Sequence, residues 1–287
     1  MLKKKAVEPH HKAPSGHDRP PTGKGKPPVA LTIAGFDPSS GAGVTADLKV
    51  FAAHSVYGVA AITALTVQST QGVRRVEPVS PEILRQTLDC LAEDMPISGV
   101  KIGMLATDAL VGVVSDFLAK SGIRAGNIVI DPVFRSSSGH DLLSNEGIKR
   151  LTIDLLPRVG WITPNLDELA ILADTPISSR EAVPQAAARL AENCPELNIV
   201  VTGGHLDPPD DFLRTADGAS QWFPGQRIKT RATHGTGCAF SSALLAQLVV
   251  GNPPSHAVAA AKAYVVEAMK AAKPIGKGRG PLHHLLD

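Results

Sequence analysis

The chain has 287 residues, 43% of them hydrophobic and 20% charged, which is enough to form one large α/β domain or two modest ones. No apolar run reaches the length of a membrane span, which argues against a helical membrane protein and a membrane partner. Residues 1–28 carry seven Lys/Arg against two acids, whereas the remainder has 22 basic and 25 acidic residues, so charge gives no reason to expect a nucleic-acid partner.

The first 28 residues are rich in Pro, Lys, Gly and His, and we expect them to form a disordered basic tail. They lack the apolar centre of a secretory signal. His10 and His11 have the chemistry to bind a metal, but a solvated tail is the favoured interpretation. Residues 29–287 are expected to form a single domain.

Apolar, β-rich runs alternate with helical patterns along the rest of the chain. This alternation predicts βαβ units and an open, mostly parallel central sheet with helices on both faces, a three-layer α/β/α fold. The expected strands are Val29–Ala34, Val59–Val67, Ser98–Ile102, Asn127–Ile130, Val159–Ile162 and Asn198–Val201. The expected helices are Val44–His54, Pro81–Glu93, Thr107–Lys120, Asn145–Leu156, Asp167–Ala173 and Arg180–Asn193.

The last third of the sequence predicts three further elements. A hairpin is expected at Phe212–Thr215 and Gln221–Phe223. A nearly all-apolar helix follows at Ala239–Val250, and a last helix at Ser255–Lys270.

Segments that carry Gly, Asp, Asn, Gln and Ser follow the six expected strands, which is where ligands bind in an open parallel sheet. These segments are "GFDPSSGAG", "QSTQG", "GM", "DPVFRSSSG", "TPNLDE" and "TGGH". Turns and helix caps explain any one of them, but six on one edge indicate an active-site rim.

The three cysteines, Cys90, Cys194 and Cys238, are far apart and have no zinc-site spacing. An odd and sparse set of this kind is typical of a reducing compartment, so a cytoplasmic location is expected.

Four common catalytic signatures are missing from the sequence: the P-loop, a G-x-G-x-x-G after the first strand, H-E-x-x-H and G-x-S-x-G. The remaining phosphate-binding candidate is the start of the apolar helix, at Gly235, Thr236, Gly237 and Cys238. Free N–H groups and the helix dipole favour an anion there, and the glycines allow close approach.

Several motifs together carry a specific resemblance. "ALTIAGFDPSSGAGVTADLKVF", "ITALTVQSTQGV", "VKIGML", "DPV", "ITPNLDE", "GGH" and "HGTGCAFSSAL", in this order and spacing, resemble the hydroxymethylpyrimidine and phosphomethylpyrimidine kinases of thiamine synthesis. These enzymes belong to the ribokinase-like superfamily, and the likeness extends from Val29 to the ending "GKGRGPLHH".

The resemblance implies an ATP- and Mg²⁺-dependent kinase. It would phosphorylate 4-amino-5-hydroxymethyl-2-methylpyrimidine and then the resulting monophosphate, and relatives suggest a homodimer. Two alternatives stay open: a pyridoxal kinase of the same superfamily, and a non-catalytic pyrimidine sensor. Retention of Cys238 and Glu168 argues against the sensor, which needs neither.

The resemblance assigns Cys238 as the base for the acceptor hydroxyl, with Gly235, Thr236 and Gly237 completing an anion hole. A helix N-terminus lowers the pKa of a thiol, so we expect a thiolate near neutral pH. On residue type alone, a small buried thiol packing under the helix is the simpler interpretation.

The resemblance also implies a substrate pocket. An amide has the donor and acceptor groups that match an aminopyrimidine edge, which suits Gln68. Met104 as core filler and Asp47 as an ordinary acid of a helix start are competing interpretations. The implied pocket residues are Gln68, Asp47, Gly35, Met104 and Val133.

The implied nucleotide site comprises Asn165, Glu168, Thr202 and Gly204. Glu168 would orient waters on Mg²⁺, although Asn165 with Glu168 equally fits a helix cap. Many relatives carry Lys where Ser137 stands, and some carry Lys where Thr202 stands. Arg135 is a candidate to compensate for the lost charge.

Overall fold

A computed structural model describes residues 26–136 and 139–285. The first 25 residues, with His10 and His11, and Ser137 lie outside the described residues.

The centre of the fold is one nine-stranded sheet with the order β3-β2-β1-β4-β5-β6-β7-β8-β9. The strands from β2 to β7 in this order pair in parallel, and β3, β8 and β9 pair antiparallel at the two edges. The strands are β1 (Val29–Phe36), β2 (Tyr57–Ser69), β3 (Gly72–Pro78), β4 (Ile97–Ile102), β5 (Ile128–Ile130), β6 (Trp161–Ile162), β7 (Asn198–Val201), β8 (Asp211–Arg214) and β9 (Ser220–Phe223).

Eight α-helices connect and flank these strands in the described chain. They are α1 (Gly43–Ala53), α2 (Pro81–Asp94), α3 (Asp108–Ser121), α4 (Asn145–Arg150), α5 (Leu166–Leu172), α6 (Val183–Asn193), α7 (Thr236–Val249) and α8 (Pro254–Ala271). The helix expected at Asn145–Leu156 changes its winding: α4 continues into a π-helical stretch, Leu151–Leu155. No described helix is long and apolar enough to cross a membrane.

The sheet separates two hydrophobic cores, as the alternation of side chains along β1 requires. Leu31 belongs to the core shared with α2–α6, and Ala30 to the core shared with α1, α7 and α8. The predicted three-layer α/β/α architecture is therefore confirmed, with a mostly parallel sheet.

Strand β3 was not expected, because its residues alternate poorly between apolar and polar. Arg74, Arg75 and Glu77 are all exposed on this outermost strand. Charged side chains are common on sheet edges, where they discourage pairing with other chains. "QSTQG" is therefore the turn of a β2–β3 hairpin rather than a crossover loop.

The order in which strands are added to the sheet reverses at β1. β2 pairs with one side of β1 and β4 with the other. The loops that leave β1 and β4 consequently diverge and open a crevice at the carboxyl ends of the strands, the usual ligand site of such sheets.

Candidate active site

Helix α7 begins at this crevice with an uncapped N-terminus. Gly235 precedes it with a φ of 84°, and no side chain caps the helix. The first amide bonded within the helix is that of Ala239, 2.9 Å from the Gly235 carbonyl oxygen. Within the described chain, the amides of Thr236, Gly237 and Cys238 are left available to an anion.

Gly235 is required by its surroundings as well as by its backbone angle. A Cβ at this position would lie 1.8 Å from the carbonyl oxygen of Gly41, in the loop after β1. The glycine thus lets that loop pack directly against the start of α7. A Cβ at Gly237 would meet nothing closer than 3.6 Å, from Asp131 Oδ2, and Gly237 is exposed.

The expectation of a Cys238 thiolate near neutral pH is wrong for the ligand-free protein. Burial raises the pKa of the Cys238 thiol to about 12, against a lowering by the Lys101 ammonium. Asp131 and Asp47 raise this pKa further, and the Gly43 amide lowers it. The helix N-terminus therefore does not offset desolvation and two nearby carboxylates.

A buried ion pair lies beneath the start of α7. The Nζ of Lys101, on β4, is 3.0 Å from Asp47 Oδ2, on α1, and both side chains are fully buried. The Asp47 carboxylate also accepts hydrogen bonds from Thr32 Oγ1 at 2.6 Å and Ser242 Oγ at 2.8 Å. Asp47 thus differs from its expected role as a pocket residue: in this structure its carboxylate is occupied by protein donors.

The loop after β1 is organised by the carboxylate of Asp37. Its Oδ1 accepts from the amide and hydroxyl of Ser39, and its Oδ2 from the amides of Gly41 and Ala42. The Nε2 of His234 lies 2.8 Å from Oδ2. Burial acts to raise the pKa of Asp37, but hydrogen bonds from His234 and Ser39 outweigh it and lower the pKa.

Gln68 lies at the mouth of the crevice, as expected for a residue at the end of β2. Its Nε2 is 3.1 Å from the Nε2 of His234, the residue that directly precedes Gly235 and the start of α7. Two residues further on, Thr70 anchors the C-terminal segment: its carbonyl oxygen accepts from Arg279, and its hydroxyl from Gly278. The segment "GKGRGP" is therefore part of the same rim.

Gly35 and Met104 are neighbours across the β1–β4 junction. A Cβ at Gly35 would lie 2.6 Å from the Met104 methyl carbon, so the glycine makes room for this side chain. Met104 is half-buried, and its carbonyl oxygen accepts from Thr63 Oγ1 at 2.6 Å. Val133 is also half-buried, two residues after Asp131. These three residues can form apolar walls for a flat ring.

Asn165 and Glu168 form a reciprocal cap at the start of α5. The Glu168 amide donates to Asn165 Oδ1 at 3.0 Å, and the Asn165 amide to Glu168 Oε2 at 2.9 Å. Burial, and then the charge of Asp131, raise the pKa of Glu168 to about 8. The capping interpretation is therefore confirmed, and the raised pKa shows that this carboxylate would gain from a nearby cation.

No group of three or more His, Cys, Asp or Glu suited to holding a metal ion occurs in the part of the chain that the structure describes. Mg²⁺ retains several waters and needs only one or two carboxylates beside substrate phosphates. A single indirect carboxylate, Glu168, is compatible with that mode of binding.

The other residues expected at the nucleotide site lie next to this cap. Thr202 pairs with Asn165 in an isolated parallel bridge, and Gly204 is exposed with open space around its Cα. Lys262 on α8 supports the same loop: it pairs with Asp211 at 2.8 Å, and Asp211 accepts from the Gly203 amide. Arg135 is exposed and pairs with Asp141.

Sequence reasoning assigned no role to four residues that build the site: Lys101, Asp131, Asp37 and His234. A signal existed for Lys101, because a lone lysine in the apolar strand "SGVKI" needs a buried partner. Asp37 precedes Pro and two Ser, a pattern typical of a side chain that accepts from the following amides. His234 and Asp131 gave no such signal, since their partners are distant in sequence.

Comparison with known proteins identifies the family. The family described as phosphomethylpyrimidine kinase matches residues 37–283. The hydroxymethylpyrimidine/phosphomethylpyrimidine kinases of Rhizobium meliloti and Salmonella typhimurium are 41% identical over 259 residues and 42% identical over 261 residues. Each alignment covers 89% of this chain and 96% of the relative.

Solved structures agree with this assignment and with a ribokinase-like fold. The phosphomethylpyrimidine kinase of Clostridium difficile is similar with a TM-score of 0.73 and 33% identity, over 84% of this chain and 99% of that one. Staphylococcus aureus pyridoxal kinase in complex with pyridoxal gives a TM-score of 0.82 at 28% identity, over 91% and 94%. With most of its length matched at this level, the chain belongs to the phosphomethylpyrimidine kinase family.

Proposed function

We propose that the protein transfers the γ-phosphoryl group of ATP to the hydroxymethyl group of 4-amino-5-hydroxymethyl-2-methylpyrimidine, and then to the monophosphate, yielding the diphosphate for thiamine biosynthesis. The observation that carries this proposal is the juxtaposition at α7: three open amides at a fixed helix start, with the Cys238 side chain in the same turn.

The first task of the site is to compensate charge on the transferring phosphoryl group. Phosphoryl transfer needs alignment and electrostatic stabilisation more than covalent help from the protein. The amides of Thr236, Gly237 and Cys238 supply fixed donors, and Gly235 holds them against the loop after β1.

The second task is to take the proton of the acceptor hydroxyl, which we assign to Cys238. The thiol is protonated in the free protein, because burial raises its pKa to about 12. The base must therefore be generated in the substrate-bound state, where the electrostatic surroundings of the sulfur decide how readily it forms.

Gln68 is assigned to the pyrimidine edge and Gly35, Met104 and Val133 to the walls of its pocket. Thr66 Oγ1 donates to the Oε1 of Gln68 at 3.3 Å, which orients the amide next to His234. An amide held in this way presents its remaining donor and acceptor sites in a defined direction.

Asn165, Glu168, Thr202 and Gly204 are assigned to the ATP side of the crevice. Glu168 would orient the waters of Mg²⁺, and Mg²⁺ would neutralise charge on the phosphate oxygens. The charge of Asp131 acts on both sides of the crevice, because it raises the pKa of Cys238 and the pKa of Glu168.

Pyridoxal is the alternative acceptor, because the pyridoxal-bound kinase of S. aureus shares this fold, but the curated relatives favour the pyrimidine. The deciding experiment incubates the protein with Mg²⁺-ATP and, separately, with hydroxymethylpyrimidine, its monophosphate or pyridoxal, and identifies products by mass. We expect ADP release with the first two, ending in the diphosphate. Release with pyridoxal alone would reassign the protein, and tight pyrimidine binding without any ADP release would favour a sensor.

A cytoplasmic homodimer that binds neither nucleic acid nor membrane is also proposed. Its three cysteines are free, as a reducing compartment requires. Leu65 and Val67 on β2 are 53% and 56% exposed on one face of the strand, which provides apolar surface for a second copy. Light scattering of the purified protein would test the dimer, and Leu65→Glu should shift it towards monomer.

A further inference from the structure

The ion pair of Lys101 and Asp47 occupies a position that the proposed reaction does not yet use. It is fully buried, and Asp47 connects four elements: its own helix α1, Thr32 on β1, Lys101 on β4 and Ser242 on α7. A buried pair gives up the hydration of both ions and is seldom more stabilising than apolar residues of similar size. Stability alone is therefore a weak reason for its presence.

The pair lies directly under the proposed base. Cys238 and Ser242 are four residues apart on α7 and so share one face of the helix. Ser242 Oγ is 2.8 Å from Asp47 Oδ1, and Lys101 Nζ is 3.0 Å from Asp47 Oδ2. A Cβ at Gly103 would lie 2.8 Å from Lys101 Nζ, so the ammonium lies beside the backbone that leads directly to Met104.

The charged groups around Cys238 come from three elements. Lys101 projects from β4, Asp47 from α1, and Asp131 follows β5. The lowering of the thiol pKa by Lys101 is larger than the raising by either carboxylate alone. The ion pair therefore has a net positive effect at the Cys238 sulfur, because the Lys101 ammonium lowers the thiol pKa more than the Asp47 carboxylate raises it.

We propose that Lys101 is a positioning residue for phosphoryl transfer: its buried ammonium, oriented by Asp47, is the fixed positive charge against which the Cys238 thiolate forms. The inference rests on the proposed function. It assigns to Asp47 the orientation of Lys101 rather than contact with substrate, and to Ser242 the coupling of α7 to this pair.

The test separates charge from packing with two variants. Lys101→Met removes the ammonium and leaves Asp47 as an uncompensated buried charge. Lys101→Met/Asp47→Asn removes both charges and keeps similar side-chain volumes, so it should recover thermal stability. Lys262→Met is the matched control, because it breaks another largely buried Lys–Asp pair, between α8 and β8, at 2.8 Å.

Two readouts are measured for each variant: the rate of Cys238 alkylation from pH 7 to 10, followed by mass spectrometry of its peptide, and kcat and KM for the pyrimidine. We expect Lys101→Met to alkylate about tenfold more slowly at each pH, since loss of one nearby charge shifts a thiol by about one pKa unit. The double variant also loses the opposing effect of Asp47, so it should alkylate more slowly than the wild type by a smaller factor. We expect kcat to fall ~10²-fold, the lower range for a positioned base, with KM little changed.

A double variant with wild-type kcat and a wild-type alkylation rate would overturn the proposal and leave the pair as packing. Lys262→Met should leave the alkylation rate unchanged, and an equal fall in that variant would also contradict a specific role of Lys101. If the wild-type protein phosphorylates none of the acceptors, the proposed function fails, but alkylation still tests the electrostatic link between Lys101 and Cys238.

Discussion

His234 Nε2 lies 2.8 Å from Asp37 Oδ2, which ties the residue before the anion hole to the loop after β1. The two residues are 197 positions apart in sequence, and both are largely buried. Because Gly41 and Ala42 also donate to Asp37, one carboxylate sets the distance between the first loop of the rim and the last.

We expect Asp37→Asn to unfold more easily and to lose activity. The amide would keep one oxygen for Ser39 but would turn an NH₂ group towards donors from Gly41, Ala42 and His234. Loss of hydrogen bonds to a charged group costs about 1.5–3 kcal/mol each in favourable cases, so a total of roughly 2–4 kcal/mol is expected. Denaturant unfolding at pH 7 measures it.

Ser39→Ala serves as the matched control, since it removes only one donor to the same carboxylate. The pKa of Asp37 is lowered in the folded protein, so its contribution is present above the ordinary Asp pKa and is lost as pH falls through the folded value. A stability difference between wild type and Asp37→Asn that persists undiminished at pH 2 would contradict this account.

Gly235→Ala should lose most activity through geometry alone. The new Cβ would lie 1.8 Å from the Gly41 carbonyl oxygen, at a φ of 84° that L residues rarely adopt. Backbone strain of this kind costs of order 1–3 kcal/mol, and the clash must in addition push the loop after β1 away from α7. Steady-state kinetics and thermal unfolding measure the two effects.

Gly251→Ala separates strain from clash. Gly251, at a φ of 91°, has nothing within 4 Å of the position of a Cβ, so an alanine there adds backbone strain without a steric clash. We expect its activity to be close to that of the wild type. Equal kinetic losses in the two variants would show that the contact between Gly235 and Gly41 has no role in the site.

Cys238→Ala should fold normally and lose ~10²- to 10⁴-fold in kcat, the usual range for a positioned base. The residue is half-buried, so truncation removes little apolar contact. Cys90→Ala is the control, because Cys90 is exposed on α2. Wild-type turnover in Cys238→Ala would show that the thiol only packs under the helix.

The sequence was sufficient for the architecture because strands such as "NIVV" and "VALTIA" are buried on both faces and stand out as apolar runs. It was insufficient for β3, because the exposed Arg74, Arg75 and Glu77 interrupt the alternation of apolar and polar residues that predicts a strand. In the site, local motifs located Cys238 and the cap at Asn165. The electrostatics of Cys238 depend on Lys101 and Asp131, whose proximity arises only when β4, β5 and α7 meet.

Glu168→Gln should change the pH dependence of stability in a defined direction. Gln at this position still accepts the Asn165 amide, so the capping arrangement survives while the charge is removed. Burial raises the pKa of Glu168 to about 8 in the folded protein, well above its ordinary value of 4.5. Between these values the unfolded chain has released the proton and the folded chain retains it.

The contribution of Glu168 to the free energy of unfolding therefore falls as pH rises from about 4.5 to about 8, by up to ~1.4 kcal/mol per pH unit. The stability of Glu168→Gln relative to wild type should accordingly increase across this window and level off above it. Urea unfolding at pH 5, 6.5, 8 and 9 measures the difference, and Glu93→Gln, at an exposed carboxylate of α2, is the control. If Mg²⁺-ATP binds beside Glu168, its addition should reduce the difference at pH 8, because a cation stabilises the ionised carboxylate. A pH-independent gap between Glu168→Gln and wild type would refute the burial of a titrating carboxylate at this cap.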